Sequence, residues 1–318
     1  MREYSTAVLF RPETEQLRFL PEGPYPYGDD RLSWVAIQHG ADAKTGSLNL
    51  FDFANSSNQS FDLPGRPGFA FPTDRDGVFV TGMERQVGLF DTNDSSFKPL
   101  GDPIEGGVTG TVINDGVVFS GGLIFGCKDL NFAEAKAGLY LWRRSDWQTI
   151  KLRDDQTCSN GKIVFGGDRE RVTLLDIDTP TKTVVRYELD VTDGRLSPPE
   201  VVVDLRAGDV FPDGMITTPD GASVIIAFYN PADAAFGEAK QFSIATGEVE
   251  AVWRTEKSPR VTCPQLVKRG DEILLILTTA DEGMTPEQQA MHTNAGALFI
   301  GDTEFTSLPE TPLFDIPQ

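Results

Sequence analysis

The 318-residue sequence has few of the residues from which redox, zinc and nucleophilic centres are commonly built. It contains two histidines and three cysteines, and no two cysteines stand at the short spacing of a metal-binding or redox motif. The nucleophile motif G-x-S-x-G is absent, and neither His39 nor His292 is paired with a Ser or Asp in a recognisable pattern. The sequence therefore argues against a thiolate or imidazole zinc site and against a Ser-His-Asp hydrolase.

Positive charge is also scarce, with 28 lysines and arginines against 48 aspartates and glutamates and a formal charge of −20. This balance argues against a DNA or RNA partner and against an anionic membrane surface. No apolar run approaches a membrane span, and the N-terminal MREYSTAVLF lacks the apolar core of a signal peptide. The cysteines, Cys127, Cys158 and Cys263, are odd in number and far apart, which is typical of reduced thiols and predicts a cytoplasmic protein.

Helix signals are few as well. The clearest apolar runs are short and rich in β-branched residues, and 31 glycines and 21 prolines separate them every few residues. This pattern favours an all-β chain. The one stretch that predicts a helix is TPEQQAMHT, residues 285–293.

What the sequence does contain is a degenerate repeat. A small or polar lead-in, an apolar–aromatic pair and a turn cluster recur at Phe51, Phe90, Tyr140, Tyr187, Phe242 and Phe299. The intervals are 39, 50, 47, 55 and 57 residues, near the size of a four-stranded propeller blade. We therefore predict a single domain over residues 1–318. It is an all-β, six-bladed β-propeller with four antiparallel strands per blade, and the N-terminal strand YSTAVLFRP closes the last blade.

The blade pattern is clearest in residues 214–254, with strands expected at 214–218, 223–229, 239–245 and 249–254. The tripeptide Pro-Asp-Gly occurs twice here, at Asp213 and at Asp220. The second copy separates two β-prone runs, so we interpret Asp220 as a hairpin residue. The first copy stands at the start of an inner strand, where a simple turn is not required.

Three further inner strands begin with an oxygen-bearing side chain, and the four residues in this position are Glu22, Asn114, Asn160 and Asp213. In a propeller the starts of the inner strands converge on one mouth of the central channel, so the four side chains are expected to meet. Two carboxylates and two amides form an all-oxygen set suited to Ca²⁺, Mg²⁺ or Mn²⁺, with Zn²⁺ as an alternative. Each position alone is typical of a turn. The common position of the four residues at the start of their inner strands is what indicates a site.

The motifs around these residues resemble the regucalcin/gluconolactonase (SGL) family of six-bladed propeller lactonases. They are Glu22-Gly23-Pro24, Asn114-Asp115-Gly116, Ser159-Asn160-Gly161 and Pro212-Asp213-Gly214, in the family's order. The resemblance implies one divalent cation bound by Glu22, Asn160 and Asp213, with Asn114 contacting metal-bound water or substrate. It implies hydrolysis of sugar lactones and related cyclic esters, with Asp213 as ligand or as the base that accepts the water's proton.

The sequence departs from the family near the expected substrate. Val112 stands where sugar-lactone hydrolases of the family have a basic residue, while Lys128 and Cys127 are further pocket candidates. Lys128 is either a replacement cation or a solvated lysine, and Cys127 is expected to pack as a small hydrophobe. The predicted partner is a small-molecule lactone or ester. An aryl-ester or organophosphate hydrolase on the same metal site, or a non-catalytic metal-binding propeller, stays open.

Overall fold

The computed structural model describes residues 1–166 and 170–317, and its regular structure is almost entirely β-strand. The chain divides into two compact units. Unit 1 comprises Met1–Arg66 and Ala207–Glu310, and unit 2 comprises Pro67–Arg206 and Thr311–Gln318. The single domain expected from the sequence stays a prediction. None of the helices in the described ranges is long and apolar enough to cross a membrane.

The first part of unit 1 is a four-stranded antiparallel meander preceded by a strand and a short helix. The elements are β1 (Arg2–Phe10), α1 (Glu15–Phe19), β2 (Pro21–Tyr27), β3 (Arg31–Ala36), β4 (Gly46–Asp52) and β5 (Ser57–Leu63). Thr14 caps α1 by accepting a hydrogen bond from the Leu17 N–H, as N-cap residues do. The sequence does not predict this helix, because five residues are too few to show a helical period.

Unit 2 contains three antiparallel sheets whose strands follow one another in sequence order. The first sheet is β6 (Pro67–Pro72), β7 (Val78–Met83), β8 (Gln86–Asp91) and β9 (Ser96–Pro99). The second is β10 (Thr111–Phe119), β11 (Gly122–Asp129), β12 (Ala137–Arg143) and β13 (Gln148–Gln156). The third is β14 (Ser159–Phe165), β15 (Arg171–Asp178), β16 (Thr183–Asp190), β17 (Arg195–Leu196) and β18 (Glu200–Asp204). Its outer edge is divided, because β17 and β18 both pair with β16.

The second part of unit 1 repeats the same arrangement twice. Its elements are β19 (Phe211–Thr217), β20 (Ser223–Tyr229), β21 (Phe236–Ser243), β22 (Val249–Glu256), β23 (Val261–Arg269), β24 (Glu272–Thr279), α2 (Pro286–Met291) and β25 (Leu298–Gly301). Strand β1 pairs antiparallel with β25, so the N-terminal strand completes the last group as predicted. It also pairs in parallel with β22, which was not predicted. The two groups therefore form one eight-stranded sheet, and the described residues show five hydrogen-bonded sheets, not six separate ones.

The core of each unit is made by the middle strands of these groups. Strand β20 reads SVIIAFY and is buried along nearly its whole length, because both faces of its sheet are covered. In unit 2, Ile124 and Leu141 of one sheet pack against Leu174 and Tyr187 of the next. Each fully buried aliphatic side chain of this kind contributes about 1.5–3 kcal/mol relative to exposure. This packing fixes the first strand of each group, on which the candidate residues stand.

Candidate functional site

In the described ranges the strands fall into six groups, which begin at β2, β6, β10, β14, β19 and β23, and the first strand of each has an interruption in its pairing with the second. The register shifts lie between Glu22 and Tyr25, Pro67 and Phe69, Ile113 and Gly116, Asn160 and Lys162, Pro212 and Met215, and Val261 and Pro264. A β-bulge bends its strand and re-aims a side chain away from the regular alternation. Four of the six interruptions contain or border Glu22, Asn114, Asn160 or Asp213. The shared position of these residues in the sequence repeats therefore corresponds to a shared β-bulge in the backbone.

Asn114 and Asn160 are in direct contact within unit 2. Asn114 Nδ2 donates to Asn160 Oδ1 at 2.8 Å and to the Ser159 carbonyl at 2.9 Å. Asn160 Nδ2 donates to Thr179 Oγ1 at 2.8 Å, and Asn160 Oδ1 therefore points away from Thr179. Both side chains are buried. Both amide nitrogens are therefore committed to protein acceptors, and Asn160 Oδ1, which accepts one bond from Asn114, keeps a second lone pair for a ligand.

A buried ion pair, which the sequence analysis did not find, lies beneath Asn160. Lys162 Nζ donates to the Asn160 carbonyl at 2.9 Å and is 3.6 Å from Asp176 Oδ1. Both side chains are almost fully inaccessible, and Gln156 Nε2 donates to the other Asp176 oxygen at 2.5 Å. Burial raises the pKa of Asp176, while Lys162 acts in the opposite direction. The available signal is a lysine directly before the apolar run Ile163-Val164-Phe165 in the strand SNGKIVF.

Val112 and Lys128 are directly opposed on β10 and β11, so their side chains share one face of the sheet. Val112 is buried, and Lys128 is only 9% exposed. The Lys128 backbone bridges to Cys158, whose Sγ lies 3.9 Å from Asn114 Nδ2. Lys128 is therefore a close neighbour of the asparagine pair, and it is not a solvated surface lysine.

Cys127 is opposed to Ile113 on the other face of the same sheet and is inaccessible to solvent. Burial raises the pKa of its thiol, and the charge of Glu105 adds to this effect. A thiol in these surroundings stays protonated and is a poor nucleophile. Its packing agrees with the small hydrophobe expected from the sequence.

Glu22 and Asp213 lie on strands of unit 1, on β2 and β19. Both strands adjoin β23, and Thr262 of β23 donates through its hydroxyl to the Pro21 carbonyl at 2.6 Å. Asp213 is buried, whereas Glu22 is partly exposed. The backbone N–H of Gly23 donates to the Glu22 carboxylate at 3.3 Å.

The two Pro-Asp-Gly copies differ in what their glycines do. A Cβ on Gly214 would lie 2.7 Å from Cys263 Sγ and 2.9 Å from its Cα, so this glycine is needed for the close approach of β23. Gly221 has a φ of +69° and open space around it, as a turn glycine does. Asp220 accepts from Thr218 Oγ1 at 2.7 Å and from the Ala222 N–H at 3.1 Å. The hairpin assignment of Asp220 is confirmed.

The donors for a cation are a mixed set. Within residues 1–166 and 170–317, no three His, Cys, Asp or Glu side chains cluster as metal ligands would. Asn160 and Asn114 are brought together in unit 2, and Glu22 and Asp213 stand at the corresponding strand position in unit 1. The chemistry of this set, carboxylate and amide oxygen, fits a hard divalent cation.

Comparisons with known proteins agree with this architecture. A family model described as the SMP-30/Gluconolactonase/LRE-like region matches residues 20–280. The chain is 26% identical over 300 residues to "Putative sugar lactone lactonase YvrE" of Bacillus subtilis (strain 168), covering 92% of this chain and 94% of that protein. Regucalcin of Agrobacterium tumefaciens, described as a calcium-binding protein, is similar in structure with a TM-score of 0.78 at 19% identity, over 98% of this chain and 99% of that one.

A second structural neighbour is a luciferin-regenerating enzyme, with a TM-score of 0.76 at 16% identity over 93% of this chain and 95% of that one. At such identities the two likenesses concern the fold alone. They support the all-β propeller that the repeat pattern predicted.

Proposed function

The chain belongs to the SMP-30/gluconolactonase/LRE-like family, and from that premise we propose that it is a divalent-metal-dependent hydrolase that opens lactones. The observation that carries the proposal is the series of inner-strand bulges that hold Glu22, Asn114, Asn160 and Asp213. We propose that the sheets close as a six-bladed propeller and that these four side chains serve one cation site. The three free cysteines support a cytoplasmic location.

In this proposal Glu22, Asn160 and Asp213 hold the cation. Ca²⁺ suits the all-oxygen donors best, and Zn²⁺, Mg²⁺ and Mn²⁺ are alternatives. The buried contact of Asn160 with Thr179 fixes the orientation of its amide before any ion binds. Asn114, held by Asn160 and Ser159, is then positioned to contact the substrate or the attacking water.

When bound, the cation supplies Lewis-acid polarisation of the lactone carbonyl and lowers the pKa of water. Asp213 accepts a proton from the attacking water while the oxygen of that water forms a bond to the carbonyl carbon. The ring C–O bond then breaks, and the departing ring oxygen takes the proton from Asp213 and becomes a hydroxyl group. The product is the open hydroxy acid.

The doubled tripeptide provides a matched pair of variants. Asp213→Ala should lose lactone hydrolysis by at least about a hundredfold, since each ~1.4 kcal/mol of lost transition-state stabilisation is tenfold in rate. Asp220→Ala should keep its rate and lose only about 0.5–3 kcal/mol of stability. Calorimetric titration should show one divalent cation bound by the parent and by Asp220→Ala, but not by Asp213→Ala. Equal loss of activity in the two variants, or full parent activity after exhaustive chelation, would refute the assignment.

The second candidate activity is hydrolysis of aryl esters or organophosphates on the same residues. It is favoured by Val112, which presents no cation to a polyhydroxylated substrate. A pH-stat screen of aldonolactones, alkyl lactones, aryl esters and phosphotriesters, with and without divalent ions, distinguishes the two. Metal binding without turnover of any compound would instead support the non-catalytic propeller.

A further inference from the structure

Two large apolar side chains of unit 2 are exposed shortly after Lys128 in the sequence. Leu130 is 38% exposed and Phe132 is 52% exposed, and both belong to the loop that joins β11 to β12. Scattered exposed hydrophobic residues are normal on protein surfaces. These two are separated by a single residue, and we call them the apolar ledge.

The loop that carries the apolar ledge is held by a buried carboxylate. Asp129 is inaccessible to solvent and accepts hydrogen bonds from the backbone N–H groups of Ala133 and Glu134, each at 3.0 Å. Its other oxygen accepts from the Asn131 N–H at 3.3 Å and lies 3.2 Å from Lys136 Nζ. The Phe132 N–H donates to the Asp129 carbonyl at 3.0 Å. With so many bonds, the loop presents its apolar side chains in a fixed conformation, which lowers the entropic cost of binding against them.

The ledge is continuous with the candidate site. The Phe132 ring centroid lies 5.6 Å from Lys128 Nζ. Lys128 is opposed to Val112 and bridges to Cys158, which contacts Asn114. Phe132 is therefore linked to Asn114 within unit 2 by a chain of contacts through Lys128 and Cys158.

These neighbours combine apolar side chains with one covered cation. Val112 is buried and uncharged, and the Lys128 ammonium is covered by the Phe132 ring instead of facing solvent. Sugar hydroxyls therefore meet no free cation here, whereas an alkyl or acyl chain removes the exposed ring from water. Resting on the proposed function, we infer that the apolar ledge binds the apolar substituent of the substrate. The substrate class is then lactones with an alkyl or acyl chain, in preference to polyhydroxylated sugar lactones.

The test compares Phe132→Ala and Phe132→Leu with a matched control, Phe236→Ala. Phe236 is also an exposed phenylalanine beside a cation, Arg254, but it stands at the start of the third strand of its group in unit 1. The substrates are hexyl-substituted γ-lactone, unsubstituted γ-butyrolactone and glucono-δ-lactone, assayed with added Ca²⁺. Melting temperatures of all variants verify that they are folded.

We expect the parent to prefer the hexyl-substituted lactone, and Phe132→Ala to lower kcat/KM for it about tenfold through KM, the usual scale for lost apolar contacts with substrate. Hydrolysis of γ-butyrolactone should change less than about twofold, because that substrate has no chain to contact the ledge. Phe132→Leu should keep most of the preference, and Phe236→Ala should behave as the parent. An equal fall for both γ-lactones, an equal effect of Phe236→Ala, or a parent preference for glucono-δ-lactone would overturn the inference while leaving the lactonase proposal intact. A parent that opens no lactone refutes both.

Discussion

The buried Lys162–Asp176 pair allows a quantitative prediction about stability. Replacement of Lys162 by Met keeps an unbranched apolar stem and removes the ammonium group. Asp176 then keeps the hydrogen bond from Gln156 Nε2 in an inaccessible position, without the neighbouring ammonium charge. We expect the variant to fold with a much lower free energy of unfolding.

The magnitude follows from the geometry. Two unit charges 3.6 Å apart attract by about 4.6 kcal/mol at an effective dielectric of ~20. Removal of one partner of a buried pair costs about 3–5 kcal/mol, because the other charge stays desolvated and unpaired. Loss of the bond to the Asn160 carbonyl contributes about 1 kcal/mol more. The expected total is about 3–5 kcal/mol, since Asp176 limits the penalty by taking up a proton.

The assay is urea denaturation of the metal-free protein at pH 7 in the presence of chelator. A double variant, Lys162→Met with Asp176→Asn, should recover at least about 2 kcal/mol, since neither charge is then buried alone. Arg186→Met is the control, because Arg186 and Glu200 are 3.5 Å apart in the same sheet but partly exposed. That variant should lose less than about 1 kcal/mol. Similar losses for Lys162→Met and Arg186→Met, or a double variant no more stable than the single one, would show that the pair is not a buried charge pair in solution.

Two further predictions concern pH. Burial raises the pKa of Asp281 to about 6 against the effect of Arg18, so the fold favours the protonated carboxyl group, and this contribution to stability is lost as pH rises from about 4 through 6. Asp281→Asn should therefore raise the free energy of unfolding at pH 8 and leave it unchanged at pH 4. A gain at both pH values would contradict the assignment. Burial also raises the pKa of Asp129, but the N–H donors of Ala133 and Glu134 outweigh it and lower that pKa to about 2. The stabilisation of the fold by the Asp129 carboxylate is therefore present above about pH 4 and lost as pH falls towards 2. Asp129→Asn should flatten the curve of unfolding free energy against pH over that range. An unchanged slope would rule out the carboxylate as the anchor of the loop.

The strand pattern was largely accessible from sequence, because turn residues and β-branched runs are local signals. The second strand expected at 223–229 matches β20, and the predicted helix at 285–293 contains α2, with Thr285 in a capping box. The inner strand was placed too late, at 214–218, whereas β19 begins at Phe211. The reason is that Pro-Asp-Gly was interpreted as a boundary, while in the structure a bulge keeps it inside the strand.

The candidate site was also predictable only in part, because some of its features are local in the sequence and others depend on contacts between strands. The four oxygen donors were predictable because each stands at the same position of its repeat, at the start of the first strand, and this position can be counted in the sequence. The repeats gave no indication of Lys162 and Asp176, since a single lysine in a strand is usually a surface residue and its partner is on another strand. The apolar ledge was missed as well, because exposure of Leu130 and Phe132 depends on how Asp129 folds the loop.

The motif glycines show why the donors and the bulges occur together. A Cβ on Gly116 would lie 3.0 Å from the Phe69 ring, and one on Gly68 would lie 2.2 Å from the Asn114 carbonyl oxygen. Gly214 meets Cys263 in the same way. At the bulges that carry Asn114 and Asp213, a neighbouring inner strand approaches so closely that a side chain on the motif glycine would crowd it. At Asn114 and Asp213, the motifs that resemble turns in the sequence are therefore positions where one bulge orients the oxygen donor and also makes room for the neighbouring strand.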